Sequence, residues 1–323
     1  SAEDLVNLRD FVAAGGDTKG KYFLMTEDIT LPDGWTPIGC TKDGTHNVSG
    51  TNLLAFSGTI DGGGKLLTVP KGGKPLLGYV KNAAVKNLNI YGEQINGYGL
   101  VDDLYGVGFS SGKDIAVVIE NVTLKSGSKT LRSGFIGTEI DYSINGFAGA
   151  SAAFTTTIRN CTIEKGVVIG YDKQQSYIGS FAGSFNGTMK NCVSYATVYG
   201  VDCVGGLAGQ KGQSMGACDF LNSAFLGEVV ASGDAVGGII GSGYPGAPGT
   251  PMVQVHNCYV AADITGHDRV AGIVGAESAH VGNVDEGDQY GVKGTTSITD
   301  NHYYGKLTAT GKNVGGIIGF MYD

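Results

Sequence analysis

Charged residues are scarce in this chain: they make up 16% of 323 residues, and only four are arginines. The formal net charge is −8. A nucleic-acid-binding surface needs a basic stripe that replaces the counterions of the phosphates, and no such stripe is present. The composition therefore argues against nucleic acid as a partner.

Long apolar runs and enzyme signatures are also missing. No segment approaches the roughly 20 apolar residues that span a bilayer, so membrane insertion is not expected. The chain begins Ser-Ala-Glu without a signal peptide, as a trimmed mature form would. The five histidines form no His-Glu-x-x-His zinc motif, and neither a nucleophile elbow, a phosphate loop nor a dinucleotide fingerprint occurs.

Glycine, with 56 residues against 7 prolines, is abundant and recurs in a short tag. The tag reads Val-Gly-Gly-Leu-Ala-Gly in its clearest copy, and a unit of about thirty residues ends in each copy. Such an internal period predicts a solenoid. The five tags lie at residues 178–183, 204–209, 236–241, 270–275 and 314–319.

A second mark, an asparagine, precedes each tag, 13 or 14 residues ahead in the last four units. Asparagine tolerates a left-handed backbone, and its amide can bond to the equivalent asparagine one unit away, which predicts a ladder. The marking residues are Asn87, Asn121, Asn160, Asn191, Asn222, Asn257 and Asn301. In the last unit, His302 then takes the place that cysteine holds after Asn160, Asn191 and Asn257.

Residues between the two marks alternate with period two, which indicates short strands. Cys192, Ser194, Ala196 and Val198 are predicted to face inward. We therefore predict an all-β, right-handed parallel β-helix forming one domain, 1–323. Apolar spacing before Gly15 predicts a helix that covers the first coil. The predicted parts are an N-terminal helical cap (1–20), first coils (21–84) and repeats (85–323).

The chain resembles bacterial surface proteins that carry the GLUG motif, named for its Gly-Leu-hydrophobic-Gly core. The five tags carry this resemblance, and the segments Trp35–Gly39 and Phe56–Gly64 strengthen it. Relatives of this type include adhesin-like and polysaccharide-associated proteins and non-catalytic regions of surface proteases. The resemblance implies a secreted or cell-surface location and a non-catalytic module that binds a host or cell-wall glycan or protein.

Two sets of residues are candidates for such binding. Outward tyrosines can stack on sugar rings or simply pack across strands. The predicted set is Tyr195, Tyr199, Tyr244, Tyr259 and Tyr303. A second candidate is Asp285, Glu286 and Asp288, whose carboxylates suit Ca²⁺, although a solvated loop is the commoner meaning of such a run. No other cofactor is expected.

An enzyme is the alternative. Asp202, Asp234 and Asp268 each stand two residues before a tag, so the β-helix stacks them about 4.8 Å apart. Paired carboxylates at that spacing suit a glycoside hydrolase, or a polysaccharide lyase with a nearby cation. Aspartate after glycine is also ordinary turn chemistry, and that simpler interpretation is favoured.

Two further expectations concern the cysteines and the end of the chain. Cys161, Cys192 and Cys258 occupy equivalent positions and are predicted to be free core thiols, whereas Cys203 and Cys218 are the pair that could form a bridge. No polar cap follows Gly319. We therefore expect either a longer multidomain parent chain or a partner that covers the last coil.

Overall fold

The computed structural model describes residues 1–41, 53–105, 115–140, 154–212, 218–243, 251–276 and 295–321. One helix, α1 (Ala2–Ala13), opens the chain, and short strands follow. The first coils hold β1 (Tyr22–Leu24), β2 (Ile29–Thr30), β3 (Cys40–Thr41), β4 (Leu53–Leu54), β5 (Thr59–Asp61), β6 (Leu66–Thr68), β7 (Leu77–Val80), β8 (Ala84–Tyr91) and β9 (Val101–Tyr105).

The middle coils hold β10 (Ile115–Leu124), β11 (Lys129–Thr130), β12 (Ile136–Ile140), β13 (Phe154–Arg159), β14 (Thr162–Ile163), β15 (Val168–Ile169), β16 (Ile178–Gly179), β17 (Ala182–Phe185), β18 (Gly187–Lys190), β19 (Val193–Ser194), β20 (Thr197–Gly200), β21 (Val204–Gly205) and β22 (Ala208–Lys211). Two further coils hold β23 (Cys218–Leu221), β24 (Ala224–Phe225), β25 (Glu228–Ala231), β26 (Val236–Gly237), β27 (Ile240–Ser242), β28 (Pro251–His256), β29 (Tyr259–Ala261), β30 (Asp263–Gly266), β31 (Val270–Ala271) and β32 (Val274–Ala276). The last coil holds β33 (Thr295–Thr299), β34 (His302–Tyr304), β35 (Leu307–Ala309), β36 (Val314–Gly315) and β37 (Ile318–Phe320).

These strands stack into a parallel β-helix, as predicted. Each strand pairs with its equivalent one coil away, so β20 pairs with β25 and β25 with β30. All strand pairs among the described residues are parallel except β3 with β4. The residues predicted to face inward in one coil, Cys192, Ser194, Ala196 and Val198, are fully buried. Their neighbours Val193, Tyr195, Thr197 and Tyr199 are not buried.

An asparagine ladder marks one corner of the coils. Asn121 donates its side-chain amide to Asn87 (3.1 Å), and Asn257 donates to Asn222 (2.9 Å). The six asparagines from Asn87 to Asn257 have a positive φ of 49–55°, a conformation that asparagine tolerates well. The ladder ends at Asp61 in the first coils, whose carboxylate accepts a hydrogen bond from the Asn87 side-chain amide.

The prediction for the last rung is wrong by one residue. Asp300, and not Asn301, has the left-handed φ of 56°. Tyr259 pairs with His302, so Asn301 stands over Cys258 and accepts a hydrogen bond from its backbone N–H. His302 consequently lies on the outer surface and does not replace the core cysteine.

The glycine tags are explained by close approach of neighbouring chain segments. A Cβ on Gly206 would lie 2.0 Å from the carbonyl oxygen of Gly238 and 2.5 Å from the ring of Phe225. Neither contact can relax, because one partner is backbone and the other is a packed core ring. The tag therefore needs glycine where β21 turns toward β22 against the core.

Cys161, Cys192, Cys203, Cys218 and Cys258 are all buried, and Cys161, Cys192, Cys203 and Cys258 are free thiols. This confirms the expectation for Cys161, Cys192 and Cys258, and it shows no bridge between Cys203 and Cys218. Burial raises the pKa of Cys203 to about 12 and that of Cys258 to about 11. Both thiols are therefore protonated at neutral pH and serve as small core side chains.

Candidate functional site

The outer surface of strands β19, β24, β29 and β34 forms one flat, largely apolar patch. In one column, Val193 pairs with Ala224, Ala224 with Tyr259, and Tyr259 with His302. We call this surface, together with the neighbouring column, the aromatic patch. Its eight members are Val193, Tyr195, Ala224, Leu226, Tyr259, Ala261, His302 and Tyr304.

The second column follows from the same register. Ser194 pairs with Phe225, so the residues after them, Tyr195 and Leu226, lie side by side. Ala261 pairs with Tyr304 at the upper end. Because strand residues two apart point to the same side, both columns face solvent.

Three tyrosine rings stand out from this patch. Tyr195 is 39% exposed, Tyr259 is 45% exposed and Tyr304 is 78% exposed. Rungs of a parallel sheet lie about 4.8 Å apart, so Tyr195 and Tyr304, three rungs apart, are separated by roughly 14 Å along the helix axis. Tyr259 lies between them in the other column.

The structure separates the predicted tyrosines. Tyr195 and Tyr259 lie on the aromatic patch. Tyr199 lies on the next face, in β20, where the Lys173 ammonium stands 4.3 Å above the centre of its ring. Tyr244 falls outside the described residues.

The placement of Tyr303 on the outer face is wrong. Tyr303 pairs with Val260, a fully buried residue, and its ring packs against Gly272 of the coil below. Its hydroxyl is buried without a hydrogen-bond partner. The one-residue displacement of the last rung causes this reversal, since a shift of one residue turns every side chain of a strand to the other face. Tyr304 takes the outward place, and sequence reasoning missed it.

The three candidate carboxylates occupy one corner of successive coils. Cys203 donates its backbone N–H to the Asp234 carbonyl, and Ala235 donates to the Asp268 carbonyl, so Asp202, Asp234 and Asp268 form a column. The Asp202 carboxylate accepts the backbone N–H of Asp234 at 2.8 Å. This contact joins the corner of one coil to the equivalent corner of the next.

Asp234 is held by two cationic or polar side chains. It accepts from the Arg269 guanidinium at 2.9 Å and contacts the His267 ring nitrogen at 2.8 Å. Arg269 is only 3% exposed and has a φ of 55°. Asp268 accepts the backbone N–H of Arg269 at 2.9 Å. The contacts of the column therefore fix the corner and neutralise the buried Arg269.

The proposed calcium ligands Asp285, Glu286 and Asp288 lie outside the described residues. Within the described ranges, no group of three or more His, Cys, Asp or Glu side chains is arranged to hold a metal ion. In the same part of the chain, no helix is both long and apolar enough to span a membrane.

Comparison with known proteins supports the fold. No family model matches the chain, and no curated protein matches it. A crystal structure from Bacteroides ovatus, described as a "putative immunoglobulin A1 protease", is similar over 95% of this chain and 82% of its own. Its TM-score is 0.50 and its sequence identity is 17%, so the similarity concerns the fold alone.

Proposed function

We propose that this chain is a non-catalytic β-helix module of a secreted or cell-surface bacterial protein, and that its aromatic patch binds a carbohydrate chain. The exposed rings of Tyr195, Tyr259 and Tyr304 on one flat surface carry the proposal. Contiguous apolar patches that remain exposed on a folded protein often mark interaction sites. Tyrosine combines an apolar ring with a hydroxyl that can donate and accept hydrogen bonds.

The shape of the patch favours an extended ligand. Its three rings are distributed over four rungs, about 14 Å by the rung spacing. Exposed rings spread over this length suit the faces of several sugar units in a polysaccharide. The GLUG resemblance points to the same surroundings, since it includes polysaccharide-associated and adhesin-like proteins.

A hydrolase or lyase at Asp202, Asp234 and Asp268 is the alternative function. The contacts of these carboxylates favour a structural role over catalysis at this corner. Asp202 caps a backbone amide, and Asp234 is paired with a guanidinium that is almost fully buried. The protease assignment of the structural relative concerns that protein, and the two chains share the fold.

The test is a glycan array followed by titration calorimetry on the best ligand. Replacing Tyr195, Tyr259 and Tyr304 by Thr keeps β-branched side chains on the strands but removes all three rings. We expect each ring to contribute about 1 kcal/mol, so the triple variant should weaken binding roughly a hundredfold.

Tyr199→Thr is the matched control, because it removes an outward tyrosine from the neighbouring face. Its affinity should stay within about twofold of the unaltered chain. Glycan binding that survives the triple substitution, or binding that Tyr199→Thr abolishes, would contradict the proposal. Turnover of any array glycan that Asp234→Asn removes would instead establish the enzyme alternative.

A further inference from the structure

One lysine of the chain lies inside the core of the β-helix. Lys211, in β22, is fully buried, although lysine is almost never fully buried unless it is paired. It stands in register with Phe185 of β17, which is also fully buried. Because residues in register on neighbouring parallel strands point to the same side of the sheet, the Lys211 side chain enters the core.

The amine of Lys211 lies beside a buried carboxamide. Its Nζ is 3.5 Å from Oδ1 of Asn186, the residue that follows β17, and it donates to the Gly212 carbonyl at 3.1 Å. Asn186 is fully buried, and within the described ranges its Nδ2 has no hydrogen-bond partner. An amine and an amide carbon, two groups that can react with each other, are therefore held together away from solvent.

The core around this pair is apolar. The rings of Phe185 and Phe220 lie 5.8 Å apart, and Met189, in register with Phe220, is fully buried as well. Apolar surroundings favour the neutral form of an amine, whose lone pair makes it a nucleophile. Burial also keeps bulk water, a competing nucleophile, away from the carboxamide.

From these contacts we propose that Lys211 and Asn186 are joined by an intramolecular isopeptide bond. The Lys211 Nζ attacks Cγ of Asn186, so the Nζ–Cγ bond forms and the Cγ–Nδ2 bond breaks. A proton of the neutral amine passes to Nδ2, which leaves as ammonia. The step uses no oxidant, reductant or cofactor.

The geometry suits a step that has to occur only once in each chain. Cγ lies one carbonyl bond, about 1.2 Å, from Oδ1, so a small rotation of the flexible Lys211 side chain brings Nζ to the distance of about 3–3.5 Å from which attack occurs. Well-oriented groups of one molecule react as if one of them were present at about 10⁵–10⁸ M. Within the described residues, no hydrogen bond of Nδ2 has to break as ammonia leaves.

The bond would tie two successive coils together. Asn186 stands between β17 and β18 of one coil, and Lys211 ends β22 of the next, 25 residues further along the chain. A covalent link of this kind restricts the unfolded chain and keeps the two coils from separating. It is independent of the aromatic patch and of the ligand proposed for it.

The first test is the mass of the intact, denatured chain by electrospray mass spectrometry. Loss of ammonia makes the chain about 17 Da lighter than its sequence requires, and we expect this deficit. A mass equal to that of the sequence would overturn the proposal.

A second reaction of Asn186 gives the same mass and has to be separated. Asn186 precedes Gly187, and an Asn-Gly pair can lose ammonia by closing a succinimide with the backbone nitrogen of the glycine. Lys211→Arg removes the amine nucleophile and should restore the full mass of its own sequence. The matched control is Lys190→Arg, at an exposed lysine, which should keep the deficit. A deficit that persists in Lys211→Arg would overturn the proposal.

A tryptic digest of the unaltered chain locates the bond without any substitution. Trypsin cleaves after lysine only when the amine is free, so a linked Lys211 leaves residues 191–269 as one fragment that is joined to residues 174–190. Fragment ions that place the junction at Asn186 and Lys211 would confirm the bond. Separate peptides 174–190 and 191–211 would overturn the proposal even if the intact chain showed the deficit.

Discussion

The two ends of this β-helix differ in how the apolar core of the terminal coil is covered. At the N-terminal end, α1 lies across the first coils and buries Leu5, Leu8 and Val12 against residues such as Met25. At the C-terminal end, equivalent core positions such as Val314 and Ile317 stay exposed. A solenoid passes its core from coil to coil, so each end needs an element that the repeat itself does not supply.

The N-terminal cap is also secured by local interactions. Ser1 and Asp4 form a capping box at the start of α1. The Arg9 guanidinium lies 5.4 Å from the centre of the Trp35 ring. Trp35 in turn is buried and donates its indole N–H to the Pro75 carbonyl at 3.0 Å. The cap is therefore tied to the first coils by packing and a cation–π contact.

The largest loss of stability is expected from a substitution in the buried face of the N-terminal cap. Val12→Asp puts a carboxylate into a site that is 1% exposed. An unpaired buried charge of this kind costs about 3–5 kcal/mol. We expect the free energy of unfolding in urea to fall by that amount, together with light scattering from exposed first strands.

Asn7→Asp is the control, because it introduces the same carboxylate on the exposed side of α1. At the open end, Val314→Asp should cost less than about 1 kcal/mol, since that side chain already meets water. Equal losses from Val12→Asp and Val314→Asp would remove the proposed difference between the two ends.

The asparagine ladder offers a second, smaller test of the same difference. Asn222 donates to Asn191, accepts from Asn257 and has a φ of 49°. Asn222→Ala loses both side-chain contacts and forces alanine into a left-handed backbone, for a total of about 2–3 kcal/mol. Denaturation in urea measures the loss.

The ladder should matter less at the open end. Asp300→Ala also forces alanine into a left-handed backbone, here at a φ of 56°. The substitution removes no ladder bond to the Asn257 amide oxygen, because the Asp300 carboxylate cannot donate one as asparagine would. We expect a loss of about 1 kcal/mol. Asn222→Gly separates the two contributions, because glycine adopts the left-handed conformation without strain. An Asn222→Gly variant as stable as the unaltered chain would show that the ladder bonds contribute nothing.

Most of the architecture was predictable because one coil constrains the next. A period-two pattern fixes the inward face, and the repeated tag fixes where each coil turns. The parallel β-helix, the helical cap and the burial of Cys192 and its alternate neighbours all followed from these patterns. They required no knowledge of which side chains meet across coils.

The errors arose where two registers fit the sequence equally well. Asp300 and Asn301 both tolerate a left-handed backbone, so the segment Asp-Asn-His-Tyr-Tyr does not show which residue takes the corner. Pairing of Tyr303 with buried Val260 decides it, and that contact is not local. The same displacement hid Tyr304, the most exposed ring of the aromatic patch. The contact of Lys173 with Tyr199 was equally unpredictable, because Tyr199 lies in β20 whereas Lys173 lies in the turn after β15 of the preceding coil.

The mildest test concerns the charged lower end of the ladder. The Asp61 carboxylate accepts from the Tyr22 hydroxyl, the Gly63 backbone N–H and the Asn87 amide, and Lys86 lies 3.6 Å away. These contacts, with the Tyr22 hydroxyl foremost, lower the pKa of Asp61 to about 2, against the desolvation that would raise it.

A carboxylate whose pKa is lower in the folded chain than in the unfolded chain stabilises the folded state. For Asp61 this contribution is complete above the unfolded pKa of 3.8, and it is lost as the pH falls toward 2. We expect the difference in unfolding free energy between the unaltered chain and Asp61→Asn to shrink by about 1–2 kcal/mol from pH 5 to pH 2. Tyr22 is 55% exposed, so solvent screening keeps the effect near the lower figure. A difference that stays constant with pH would mean that Asp61 supports the ladder only as a hydrogen-bond acceptor, a role that the Asn side-chain oxygen fills equally well.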